Sequence, residues 1–169
     1  MPIESIPIYG FVKTLFGCLP NFLLKRHYTS ERLSKLISVD IASRGEPVTL
    51  DLGRPSLARL QLQVINMSPF LVELDRAVFN LQCAGPEVEM GYHTRTKLAP
   101  GETVNIFLKA AMHDGHAEAI SNLGEQNIRA WLSGNLEFNC TLRNFPKNIG
   151  TLSDVNPRVI NANVRRRDA

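Results

Sequence analysis

Leu57-Ala-Arg-Leu-Gln-Leu-Gln-Val-Ile65, then Asn66-Met-Ser-Pro69, then Phe70-Leu-Val-Glu-Leu-Asp-Arg-Ala-Val-Phe-Asn-Leu-Gln-Cys83 is the stretch from which the fold is read. In the first run Leu60, Leu62 and Val64 alternate with Gln61 and Gln63. In the second, Phe79, Leu81 and Cys83 alternate with Val78, Asn80 and Gln82. A period of two marks strands with one dry and one wet face. Asn-Met-Ser-Pro is a run of turn formers. The stretch therefore predicts two long strands joined as a central hairpin.

Working outward, the same rhythm recurs. Ile37, Val39 and Ile41 form one strand, Ser43-Arg-Gly-Glu-Pro47 a turn, and Val48, Leu50 and Leu52 the next strand, broken off by Gly53-Arg-Pro55. After the turn Ala84-Gly-Pro86, Val88, Met90 and Tyr92 lead a strand that fades towards Leu98. Ala99-Pro-Gly-Glu102 is a strong turn, followed by Val104, Ile106 and Leu108. Asp114 is placed to cap a short helix through Leu123, with Gly124 as its stop. Ile128, Ala130 and Leu132 form a strand, Ser133-Gly-Asn135 a turn, and Leu136, Phe138, Cys140 and Leu142 the return. Residues 144–154 read as loop, and 159–164 as a last edge strand. Some eight strands at this spacing predict an all-β, antiparallel β-sandwich. Its core is expected to include Leu60, Leu62, Val64, Phe79, Leu81, Val104, Ile106, Leu108, Phe138 and Leu142.

The N-terminus is different. Ile6 to Leu24 is an apolar run that would reach about 28 Å as a helix, barely the hydrocarbon thickness of a bilayer. Lys13 sits mid-run and Pro20 interrupts it, which argues against a simple span. Gly10, Lys13, Thr14, Gly17 and Asn21 fall on one stripe, and apolar residues fill the rest. That pattern is an N-terminal amphipathic helix with a wide apolar face. Phe11, Val12, Leu15, Phe16, Leu19, Phe22 and Leu23, followed by Lys25 and Arg26, are the candidate contacts with a membrane surface or a protein partner. A core helix capping the sandwich is the remaining alternative. No small-x-small cleavage site follows the run, so it does not read as a secretory leader. The domain division is thus 1–28 for the helix, 29–35 for a linker or a short helix begun by Thr29 or Ser30, 36–164 for the sandwich and 165–169 for a basic tail.

The 169 residues, 44% hydrophobic and 21% charged, suit one globular domain, and the net charge of +3 does not by itself imply nucleic acid. Arg165-Arg-Arg167 is expected as a solubilising end, since no aromatic residues are interleaved with it for nucleic-acid readout. Of the three cysteines, Cys83 and Cys140 fall at core-facing positions and are expected as buried thiols, with a disulfide between them as the alternative. Cys18 lies in the apolar run, in a context unlike a lipoprotein cleavage site. His113-Asp-Gly-His116-Ala-Glu118 holds the one cluster of metal-ligand residue types, but it lacks the His-Glu-x-x-His spacing and reads as a solvated loop with a helix cap. Trp131 points away from Ala130 and Leu132, as a surface anchor or packed under a loop. No nucleophile elbow or phosphate loop is present. The chain is therefore expected to have no catalytic residue, no metal and no cofactor.

In order of elements the chain resembles the late-embryogenesis-abundant type 2 family, also called the water-stress-and-hypersensitive-response (WHy) domain, over residues 36–144. The features are the strand Leu60–Val64, the Asn66-centred turn, the long strand Val72–Gln82 ending at Gly85, Pro100-Gly101-Glu102 and the strand Val104–Leu108. The family's Asn-Pro-Asn turn is altered here, with Pro at position 69. The resemblance implies an immunoglobulin/fibronectin-III-like β-sandwich, no enzyme activity and a membrane-proximal anchor. The expected function is a non-enzymatic, membrane-associated binding, scaffolding or stress-protective module, peripheral or single-pass. The alternative is a soluble structural subunit whose N-terminal helix docks on another subunit, which includes a homo-oligomer. No specific nucleic-acid partner is expected.

Overall fold

Alternation sets the strands, and the turns decide which sheet each one enters. The computed structural model describes residues 21–41, 48–83, 85–123 and 128–166. The turn expected at 43–47 and Cys18 lie outside them. In chain order the elements are α1 (Asn21–His27), α2 (Ser30–Lys35), β1 (Ile37–Ile41), β2 (Val48–Asp51), β3 (Leu57–Asn66), β4 (Val72–Cys83), β5 (Glu87–Tyr92), β6 (Thr96–Leu98), β7 (Thr103–Ala111), α3 (Asp114–Leu123), β8 (Ala130–Cys140), β9 (Phe145–Val155), β10 (Arg158–Ile160) and α4 (Ala162–Arg166).

Two sheets result. In the first, β7 pairs with one edge of β3, while β1 and β2 share the other edge end to end and β10 lies beside β2. In the second, β5 and β6 share one edge of β4, and β8 and then β9 follow on the other. Every pairing is antiparallel except β10 with β2, which is parallel. Leu60, Leu62, Ile106 and Leu108 from the first sheet meet Leu74, Phe79, Leu81 and Phe138 from the second in one buried cluster. Of the ten core positions predicted from alternation, nine are buried, and Val104 is partly buried at the sandwich margin.

Four expectations are corrected. β3 and β4 do not form a hairpin: residues 66–71 arch from one sheet to the other, because β3 takes its partners from the first sheet and β4 from the second. Ser133-Gly-Asn135 is no turn, and β8 runs through it unbroken. Gly134 lies opposite Phe79, and a Cβ there would come within 2.2 Å of the Phe79 ring. The glycine is therefore the space into which the aromatic packs. Residues 144–154, expected as loop, fall almost wholly within strand β9, Phe145–Val155. The 159–164 edge divides into the short strand β10 and the helix α4. Of the two readings offered for residues 29–35, the structure takes the short helix, with Thr29 as N-cap and Leu33 fully buried.

Gly134→Ala is expected to destabilise the protein by about 1–3 kcal/mol through overpacking. Phe79→Leu, which removes the clashing ring, should recover part of that loss when combined with it. Urea midpoints of the two single variants and the double variant measure the coupling. Strictly additive effects would mean that residues 79 and 134 do not meet.

Candidate functional site

A helix as short as α1 is not stable alone in water, so what holds it also defines the surface it presents. Leu24 is its one buried residue. Its last carbonyls are taken by two arginines: Arg143 donates to the Lys25 carbonyl, and Arg32 Nη1 donates to the His27 carbonyl at 3.0 Å. Cations at a helix C-terminus satisfy its orphan acceptors and oppose its dipole. Tyr28 then meets Phe70 edge to face at 4.8 Å. After it, Thr29 Oγ1 accepts from the Arg32 N–H to start α2.

These contacts set α1 against the end of the sandwich where β3 passes into β4. Asn66 organises that end. Its side chain is fully buried and every polar atom is used. Nδ2 donates to the Phe70 carbonyl at 2.8 Å and to the Leu98 carbonyl at 3.0 Å. Oδ1 accepts from the Ser68 N–H at 3.0 Å and the Ser68 hydroxyl at 2.6 Å. Its backbone pairs with Glu102 and Gly101, and the next residue, Met67, donates to the Leu36 carbonyl at 2.8 Å. One carboxamide thus joins the arch to the β6–β7 turn, and the neighbouring backbone joins it to the end of α2.

Fixed in this way, the end carries exposed apolar tips. Phe22 is 69% exposed and Leu23 43%, both on α1, while Met67 is 55% and Leu71 50% exposed on the arch. Lys25, Arg26 and Lys97 are exposed beside them. Two shallow depressions flank the arch. One, of about 240 Å³, has Met67, Lys35 and Lys147 at its rim; the other, of about 190 Å³, has Leu71, Lys97 and Cys140. Of the candidate contacts, Phe22, Leu23, Lys25 and Arg26 are therefore brought together and exposed. Phe11, Val12, Leu15, Phe16 and Leu19 lie outside the described residues. Met67 and Leu71 were not legible as contacts, because two apolar residues within a turn carry no periodic signal. Among the described residues no helix is long and apolar enough to cross a membrane.

The opposite end holds the histidine cluster. His116 is buried, not solvated as expected, and its Nε2–H donates to the Cys83 carbonyl at 2.6 Å. His113 and Glu118 are exposed on either side of it. Among the described residues, no three His, Cys, Asp or Glu side chains converge as a metal site. Cys83 and Cys140 are both free thiols, and Cys140 is only partly buried, not a core residue. They sit at opposite ends of the β4–β8 pair, since Cys83 faces Ala130 and Cys140 faces Val72. At the rise of a strand this places them about 35 Å apart, which rules out the alternative disulfide. Trp131 is exposed on the outer face of β8.

No family model matches the chain, and no curated protein matches it. Solved structures do resemble it. A Northeast Structural Genomics Consortium target aligns over 71% of this chain and 86% of its own, at 10% identity and a TM-score of 0.50. A protein from Arabidopsis thaliana, solved in solution, aligns over 72% of this chain and 91% of its own, at 12% identity and a TM-score of 0.46. A protein described as late embryogenesis abundant (LEA), also solved in solution, aligns over 90% of this chain and 92% of its own, at 13% identity and a TM-score of 0.43. At 10% identity, the first similarity is one of fold alone.

Burial pushes the Cys83 thiol up from 9.0 to about 11. Above pH 9 the unfolded chain loses this proton first, while the folded chain retains it until about pH 11. Stability is therefore expected to fall across that window by roughly 2–3 kcal/mol. Cys83→Ala should remove this part of the slope. Urea midpoints of wild type and variant at pH 8 and pH 11 measure it, and parallel pH profiles would refute it.

Proposed function

We propose that this chain is a non-enzymatic β-sandwich that docks on an anionic membrane surface by the end containing α1 and the 66–71 arch. The observation that carries this reading is the joint exposure of Phe22, Leu23, Met67 and Leu71 on one braced end, with Lys25, Arg26 and Lys97 around them. Apolar tips within a basic rim are what an anionic bilayer interface accommodates: the tips enter the headgroup region and the cations stay among the phosphates. In sequence, α1 follows directly on the apolar run that begins at Ile6. The strand order, β1/β2–β3–β7 in one sheet and β5/β6–β4–β8–β9 in the other, supports a fibronectin-III-like sandwich. The Asn66 arch and Pro100-Gly101-Glu102 support membership of the LEA type 2 class and a stress-protective or scaffolding role. Attachment in this reading is peripheral.

Vesicle flotation tests the proposal. The full chain should float with phosphatidylserine-containing vesicles and less with phosphatidylcholine alone, and added salt should weaken binding. Each basic residue near such a surface contributes about 1 kcal/mol. Lys25→Gln with Arg26→Gln should therefore weaken partitioning by about thirtyfold. Phe22→Glu with Leu23→Glu should abolish flotation and leave the melting temperature unchanged, because both side chains are exposed. If the wild type stays with the protein fraction at low salt on both kinds of vesicle, the membrane reading fails. The soluble-subunit reading would then take its place.

A further inference from the structure

We propose that β7 is a self-association edge, to which a second copy of this chain adds its own β7, antiparallel and in register about Phe107. The proposal stands independently of membrane docking, because β7 lies along one side of the sandwich and not at its basic end.

An unpaired strand edge is a template for another strand, and proteins blunt such edges with charge, proline, bulges or brevity. The other edges here are blunted. β9 contains Pro146 and Gly150 and loses register twice against β8. β5 carries the exposed Glu87 and Glu89, and β1 is short and carries the exposed Asp40. β6 and β10 have three residues each. β7 has neither brevity, proline nor a bulge, and of these devices it carries only the exposed Lys109. It is nine residues long with no proline, keeps unbroken register with β3 from Thr103 to Ala111, and pairs with no other described strand. Lys109 is its single charge, and Phe107 stands 68% exposed at its centre.

Backbone direction fixes the register. The bonds from Met112 to Ser56 and from Asn66 to Glu102 close the two ends of the β3–β7 ladder. In an antiparallel ladder, bonded pairs alternate with unbonded ones, so the even-numbered residues of β7 bond to β3. Thr103, Asn105, Phe107, Lys109 and Ala111 therefore turn their N–H and C=O groups to the free edge. A two-fold axis through Phe107 pairs this same set with itself: Phe107 with Phe107, Asn105 with Lys109, and Thr103 with Ala111. The aromatic rings meet on the outer face, and no like charges face each other, so both cross-strand rules favour the pairing. That self-match is the reason to name a second copy as the occupant. One strand pair is a small interface, and a micromolar dissociation constant is expected.

Sedimentation equilibrium of the full chain in a mild non-ionic detergent, across the micromolar to millimolar range, tests this. The detergent keeps the apolar N-terminal run from driving association. Wild type is expected to dimerise. Asn105→Lys sets a second cation against Lys109 of the other copy and should raise Kd at least tenfold. Lys109→Glu alone should leave Kd near wild type, and Asn105→Lys combined with Lys109→Glu should restore it. In parallel, hydrogen exchange at the amides of Asn105, Phe107 and Lys109 should slow as wild-type concentration rises, a readout that needs no variant. A wild type monomeric throughout, a dimer indifferent to Asn105→Lys, no recovery in the double variant, or fast exchange of the three amides at every concentration would each overturn the proposal.

Discussion

The buried carboxamide of Asn66 is the constraint on which the rest of the molecule depends. A chain that passes from one sheet to the other must turn its backbone through the end of the core, where water cannot satisfy it. Buried N–H and C=O groups left without partners cost about 1–3 kcal/mol each. Asn66 answers this with two donors and one acceptor oxygen used twice. Asparagine is suited to the task because its side chain offers both donor and acceptor groups on one rigid plane. Aspartate would present acceptors to the Phe70 and Leu98 carbonyls, and leucine would present nothing. Through this residue the crossing between sheets, the start of β7 and the end of α2 share one geometry.

The two faces of the sandwich then divide the work. The inner faces close by size matching, with Gly134 yielding its side-chain volume to Phe79. The outer faces and edges are shaped by what they must avoid. Arg76 and Glu137 lie opposite each other on β4 and β8 and bond in a two-point fork, which holds the guanidinium's proton more tightly than usual. Asp51 is held below the usual carboxylate range, chiefly by the Asn161 side-chain amide and then by the Gly53 N–H. That contact, about a carboxylate near the surface, fastens the C-terminal segment to β2.

How much of this the sequence disclosed follows from the kind of signal each element leaves. Strands with one dry face announce themselves by period, and β3, β4 and β7 were readable for that reason. Turn chemistry is more ambiguous. Asn66-Met-Ser-Pro69 looks the same whether it closes a hairpin or arches between sheets, because the same turn-forming residue types serve both and only the partners differ. Ser133-Gly-Asn135 has the composition of a turn, yet its glycine is there for the ring of Phe79, a fact that resides on another strand. β9 was hidden by Pro146, Asn148 and Gly150, tolerated because it is an edge. At the candidate site Phe22 and Leu23 were visible through hydropathy. Met67 and Leu71 were not, since their exposure depends on the rigid arch beneath them. His116 was misjudged because a histidine among polar neighbours looks wet, and its partner is the carbonyl of Cys83, far away in sequence.

The parallel pairing of β10 with β2 has a consequence for how the chain is made. Asp51 and Asn161, which bond across this pairing, are 110 residues apart. A ribosome adding about 5–20 residues per second needs roughly 5–20 s to cover that distance. Throughout that interval β2 has emerged and can pair with β3, but its outer edge has no strand to cover it. The nascent chain thus carries an open sheet margin for far longer than a strand takes to form, and it is in that interval that holding factors or neighbouring nascent chains would find it.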